Sequence, residues 1–189
     1  MDGCLAPFKV GGVTIVPDEK DWTWVLRRPC QECGFDTATV AREDIPAMIL
    51  ANAEAWHVPL SAGDAVRRPQ PGKWSALEYG CHVRDVLRLY DYRLVLMLTE
   101  DDPLYPNWNQ DDTAVADRYD TQDPATVAGE LDAAAEAIAA RFRTVTGALW
   151  DRPGRRSDGA AFTIETFGRY FMHDPIHHLY DVTGQRYAG

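Results

Sequence analysis

Apolar positions recur along most of this chain with the period of an α-helix. Between Asp44 and Trp56 they fall at 45, 48, 49, 53 and 56, the spacing of one helix face. Pro46 is tolerated only in a first turn, so the spacing predicts a helix over 44–57. A loop rich in Pro and Gly follows over 59–73. Ser75-Ala-Leu-Glu78 then reads as a capping box that opens a second helix over 75–98. The acidic, polar stretch 99–123 predicts a long crossover connection. Asp123-Pro124 supplies a cap and first-position pair for a third helix over 124–149. Pro153-Gly154 begins another loop, and a fourth helix is expected over 163–182, stopped by Gly184.

Residues 1–40 have a different character. Val13-Thr-Ile-Val16 and Trp22-Thr-Trp-Val25 are β-prone runs with Pro17-Asp18 between them, which predicts a small hairpin. The expected organisation is all-α. An N-terminal appendage over 1–40 carries a Cys-x-x-Cys turn, and a four-helix bundle occupies 41–189.

Composition changes this picture little. Apolar residues make up 46% and charged residues 25% of 189 positions, ordinary values for a globular domain. The net charge of −10 disfavours nucleic acid and anionic membranes as partners, and leaves a small-molecule substrate as the expected one. A homodimer is an allowed assembly. The N-terminus has no basic and apolar leader pattern, and no run of apolar residues is long enough to span a bilayer. With four cysteines too scattered for a disulfide framework, a cytoplasmic protein with reduced thiols is expected.

Candidate chemistry concentrates in Phe171-Met-His-Asp-Pro-Ile-His-His-Leu-Tyr-Asp181, which holds three of the five histidines. His173 and His177 stand four apart and share a helix face, a spacing that lets two imidazoles hold one ion. His82, in the middle of the second helix, is the expected third ligand. Asp174 and Asp181 lie where a carboxylate orients a ligating imidazole. Single helical histidines are more commonly surface or core residues, and the pairing beside carboxylates is what favours a metal. Pro175 interrupts the pair, so a kink or a fresh helical start is expected there, and His178 is the alternative to His177.

These residues carry a resemblance. Trp74-Ser-Ala-Leu-Glu78-Tyr-Gly-Cys-His82 resembles the Trp-Ser-x-x-Glu-x-x-x-His signature of the DinB-like superfamily. His173-Asp-Pro-Ile-His177-His-Leu-Tyr-Asp181 resembles its last-helix His-x-x-x-His element. The resemblance covers about residues 42–185. It implies an up-down-down-up four-helix bundle with a divalent metal, zinc or nickel, on His82, His173 and His177. Several members of that superfamily are maleylpyruvate isomerases or S-transferases that use mycothiol, bacillithiol or glutathione. The resemblance therefore implies a thiol-dependent S-transferase or isomerase acting on a small electrophile. With the sequence ending at Gly189, a second domain of the isomerase kind is not expected, which favours the transferase class. The alternative is a non-catalytic metal-binding bundle.

Cys30-Gln-Glu-Cys33-Gly34 looks like a zinc knuckle, but no second Cys-x-x-Cys supplies the other two ligands, so simple turn or packing residues are the favoured reading, ahead of a structural metal site and of a redox dithiol. Cys4 and His57 are the candidates to complete a metal site. We expect the pair outside the bundle core and apart from the histidines. Cys81 is expected in the core, Glu78 at the helix cap, and Trp56, Trp74 and Trp150 as seals of the bundle. Arg84, Arg88 and Arg93 are read as solvated or as contacts for an anionic substrate.

Overall fold

The computed structural model describes residues 21–188, together with the backbone of 9–10 and 13–14. Helix α1 (Ile45–Ser61) admits Pro46 in its first turn, where no amide donor is needed. Helix α2 (Ala76–Thr99) starts on the expected capping box. The Ser75 hydroxyl accepts from the Glu78 amide at 3.2 Å, and the Glu78 carboxylate accepts from the Ser75 amide at 2.8 Å. Helix α4 (Pro124–Phe142) is capped by Asp123, and α5 (Ile164–Thr183) by Thr163, with Gly184 in the left-handed conformation at its end. These four long helices form the bundle. Helices α1 and α2 each pack against both α4 and α5.

Several expectations are corrected. The third long helix stops at Phe142 rather than 149. Thr144, Val145 and Thr146 are β-branched, Gly147 takes a φ of +53°, and a 3-10 helix covers Gly147–Asp151 instead. The 99–123 connection joins α2 to α4 and contains a short helix, α3 (Gln110–Ala116), capped by Asn109. It also contributes strand β3 (Leu104–Tyr105), which pairs in parallel with β4 (Pro153–Arg156). Strand β4 pairs antiparallel with β5 (Ala161–Thr163). This three-stranded sheet gives no sequence signal because its strands are so short.

The N-terminal hairpin is also shifted. Strands β1 (Lys9–Val10) and β2 (Val13–Thr14) pair with each other. The run Trp22–Leu26 is a 3-10 helix, started by Asp21, whose side chain accepts from the Thr23 amide. The expected turn at Pro17-Asp18, and the run through Ile15-Val16, lie outside the described residues. Residues 22–40 are no appendage. Cys30, Cys33, Phe35 and Val40 are buried in the same cluster as the bundle core, against α5.

Contacts along α5 fix its depth. At Gly168 an added Cβ would stand 2.8 Å from Ile45 Cδ1 and 3.1 Å from the Phe142 ring. Replacing Gly168 with Val should therefore destabilise the fold by about 1–3 kcal/mol through overpacking, lowering Tm by about 2–4 °C per kcal/mol. An unchanged Tm would show that the helices do not approach so closely. At the α2 cap, Ser75→Ala should cost about 0.5–2 kcal/mol in chemical denaturation, and Ser75→Gly only a few tenths. Equal losses for the two variants would mean that Ser75 contributes packing rather than capping.

Candidate functional site

The capping box sets the rotation of α2, which carries His82 into the bundle interior. Its side chain is fully buried. The ring stacks on Trp108 with centroids 5.3 Å apart and planes at 8°, and meets the His178 ring edge-on at 4.8 Å. His82 Nε2 lies 3.3 Å from Asp174 Oδ1, and its buried Nδ1 has no hydrogen-bond partner.

Helix α5 runs unbroken through Pro175. The pairs His173/His177 and Asp174/His178 therefore keep their four-residue spacing on neighbouring faces. On one face, His178 directs Nε2 to 3.8 Å from Asp174 Oδ1. Its Nδ1 is held by Asp181 at 3.0 Å, the kind of carboxylate contact that fixes a ligating imidazole. His82, Asp174 and His178 thus converge, with one ligand atom from each lying within 4.8 Å of the others. Neighbouring donors on one small ion stand about 3.4 Å apart, so this spacing is near that of a coordination shell. Burial opposes ionisation of Asp174, but the charge and hydrogen bond of His82, and then His178, hold its carboxyl well below the usual range.

The other face points elsewhere. His173 and His177 meet Cys30 and Cys33, all four side chains buried, with their donor atoms also within 4.8 Å of one another. Cys30 Sγ lies 3.7 Å from His177 Nδ1, and His177 Nε2 faces Glu32 at 3.3 Å. Burial, reinforced by the neighbouring His177, pushes His173 down to about 4, so the ring is neutral at physiological pH. Burial likewise lowers His177 and raises the Cys33 thiol to about 12.

The expected set of His82, His173 and His177 is thus divided. The structure groups His82 with Asp174 and His178, and brings His173 and His177 to the cysteines. The expectation that Cys30 and Cys33 stand outside the core and apart from the histidines is overturned. His57 does not join them, since it pairs with Asp132 at 2.9 Å on the surface, and Cys4 lies outside the described residues. Asp174 was read as an orienting carboxylate only. The sequence signal for its place beside His82 and His178 is the Asp-x-x-x-His spacing interleaved with His-x-x-x-His.

The remaining candidates have structural partners. Glu78 accepts from Ser75 and from the Arg68 guanidinium, leaving nothing for His82. Cys81 is buried and its thiol is pushed up to about 12 by burial. Arg84 is paired with Asp85 and Glu130, Arg88 with the same two carboxylates, and Arg93 donates to the Pro106 carbonyl. Trp56, Trp74 and Trp150 are buried in the core, as expected.

A cavity of about 90 Å³ opens beside α5, lined along the helix by His173, Asp174, His177 and His178 and elsewhere by Trp22, Tyr170 and Gln110. That volume takes several waters or one small functional group, so a larger reactant must extend through the open side. Among the described residues no helix is long and apolar enough to cross a membrane.

No curated protein sequence matches the chain. Its structure is similar to that of YfiT from Bacillus subtilis, described as "a probable metal-dependent hydrolase with an unusual four-helix bundle topology". The TM-score is 0.69 at 18% identity, over 83% of this chain and 90% of that one. The DinB superfamily model matches residues 49–182, a span that holds most of α1, all of α2, the 100–123 connection, α4 and almost all of α5. By that match, over well more than half its length, the chain belongs to the DinB superfamily.

Proposed function

We propose that this protein is a metal-dependent enzyme whose ion is held by His82, Asp174 and His178, and that it activates a low-molecular-weight thiol for transfer to a small electrophile. The observation that carries this reading is the convergence of those three side chains, of which Asp174 and His178 line an open cavity. The donor set suits a divalent ion of the zinc or nickel type, and His82 turns its Nε2 to the cluster, 3.3 Å from Asp174 Oδ1. Two imidazoles and one carboxylate leave a coordination position vacant, as reactive rather than structural centres do. An ion there supplies Lewis acidity, which makes a thiol or a water nucleophilic near neutral pH.

The chain's own residues do the rest. Asp181 holds His178 in the orientation that presents Nε2. Trp108 covers His82 and keeps bulk water from that side. Asp174 retains 35% of its side-chain exposure, so the cluster is approached from its edge. Tyr170 and Gln110 offer a phenol and an amide to a polar acceptor, and Arg156 donates to the Tyr170 hydroxyl at 3.2 Å, which fixes it in place. The same reading takes the four long helices in up-down-down-up order, with the 100–123 crossover joining α2 to α4.

Hydrolysis is the second reading. The cavity admits water, and the similar structure from Bacillus subtilis carries a hydrolase description. Both readings share one ion and one set of ligands, and differ only in the nucleophile.

Protein loaded with zinc or nickel, given mycothiol, bacillithiol or glutathione and a model electrophile, should react above background. His82→Ala and Asp174→Asn should each lower that rate by about 100-fold or more, in step with lost metal affinity. A rate seen with water and an ester, but with no thiol, would move the assignment to hydrolysis. Equal rates for wild type and both variants with every nucleophile would replace the enzyme with a non-catalytic metal-binding bundle.

A further inference from the structure

The cysteine pair and the second face of α5 are left unused by that chemistry, yet they are assembled with care. We propose that Cys30, Cys33, His173 and His177 form a second, closed metal site that takes a zinc-like divalent ion and fastens the N-terminal segment to α5. Two thiolates and two imidazoles fill a tetrahedral shell, so this site has no vacant position and is structural.

The donor atoms of all four residues lie within 4.8 Å of one another, and one pair stands at a ligand-shell distance. With metal–sulfur and metal–nitrogen bonds of about 2.3 and 2.05 Å, a tetrahedral edge between sulfur and nitrogen is about 3.6 Å. Cys30 Sγ and His177 Nδ1 stand 3.7 Å apart. The buried Nε2 of His173 has no hydrogen-bond partner, a cost that an ion would remove. His177 turns its other nitrogen to Glu32 at 3.3 Å, with Asp181 at 3.8 Å behind it, which aims Nδ1 at the sulfurs.

The backbone holds the cysteines in a knuckle. Gly34 N donates to Cys30 O at 2.9 Å, Cys30 N donates to Phe35 O at 2.9 Å, and Gly34 takes a φ of +83° that other residues rarely adopt. The C-terminal tail clamps the turn from outside. Tyr187 N donates to Cys33 O at 2.8 Å, and Arg186 Nη1 donates to Gln31 O at 2.7 Å.

Charge is consistent with burial. Binding expels the two thiol protons to solvent and leaves a dication with two thiolates and two neutral imidazoles, a complex of zero net charge. A disulfide between Cys30 and Cys33 explains less, because it leaves His173 Nε2 buried and unpaired. The site also positions Trp22, whose ring lies 5.3 Å from both His173 and His177 and borders the cavity.

The test is metal content and spectroscopy on the full chain, purified without chelator under reducing conditions. The Asp174→Asn/His178→Ala variant, which lacks the other cluster, should still hold about one zinc per chain. Replacement of that zinc by cobalt should give a tetrahedral spectrum with a thiolate-to-cobalt charge-transfer band. Cys33→Ser should lose the band and about one ion per chain. If Cys33→Ser does not fold, unmutated protein decides the matter. Its thiols at 30 and 33 should resist alkylation until a chelator removes the ion. A cobalt spectrum without a thiolate band, alkylation of both thiols with no loss of metal, or a Cys30–Cys33 disulfide in the reduced preparation would each overturn the proposal. Because the first readout omits Asp174 and His178, it stands or falls separately from the proposed catalytic ion.

Discussion

Successive residues on an α-helix are rotated by about 100°, and the short run from His173 to His178 uses that rotation to address two sides of the molecule. The four-residue spacing occurs twice, shifted by one position. His173 and His177 face the knuckle, while Asp174 and His178 face α2. This works only if α5 stays helical through Pro175, which lacks the amide that would reach Phe171. The helix is continuous, and the Pro175 carbonyl accepts from the buried Asn52 amide of α1 at 3.2 Å. Packing on both sides of α5 therefore does what a regular hydrogen-bond ladder would otherwise do. A kink there would turn one donor pair away from its partners.

Local signals in the sequence were sufficient for the bundle. Ser75 with Glu78, Asp123 with Pro124, and Gly184 each carry a cap whose chemistry is written within four residues, and each marks a helix boundary. The signal fails where the determining contact is distant or the element is short. Trp22-Thr-Trp-Val25 alternates like a strand, yet Asp21 caps a 3-10 turn, in which Val25 is buried and its carbonyl accepts from the distant Thr37 hydroxyl. The third helix was overextended because Ala-rich periodicity runs up to Phe142, and the breaks at Thr144–Gly147 are individually weak.

The site was legible in kind and not in grouping. Pattern and spacing pointed to His82 and to the histidines of α5, but not to which face each would occupy relative to α2. That choice depends on the rotation of α5, set by close contacts such as Gly168 against Ile45 and Phe142. The knuckle was legible as a turn, since Cys-x-x-Cys-Gly is local. The two histidines that it meets lie about 140 residues along the chain, beyond the reach of any local pattern. Asp174 was hidden for a different reason. A carboxylate beside histidines serves equally well as a ligand or as an orienting partner, and only the fold brings this one to 3.3 Å from a histidine 92 positions away.

In the proposed arrangement the two clusters differ in donor chemistry, and the difference matches their surroundings. Sulfur and nitrogen donors make a soft, closed, electrically neutral shell, suited to burial and to holding two chain segments together. Nitrogen and carboxylate donors make a harder, incomplete shell, suited to the edge of a cavity where a reactant enters. Trp22 joins the two functions, since the segment that carries it is held by the knuckle while its ring borders the cavity. The geometry of the reactive side thus depends on the structural side, although no ligand is shared. Loss of the knuckle ion would leave His82, Asp174 and His178 in place on rigid helices and remove part of the wall that faces the reactant. Substrate binding would then suffer more than metal binding at the open cluster, which is the order expected when helices hold the ligands and a separate segment completes the cavity.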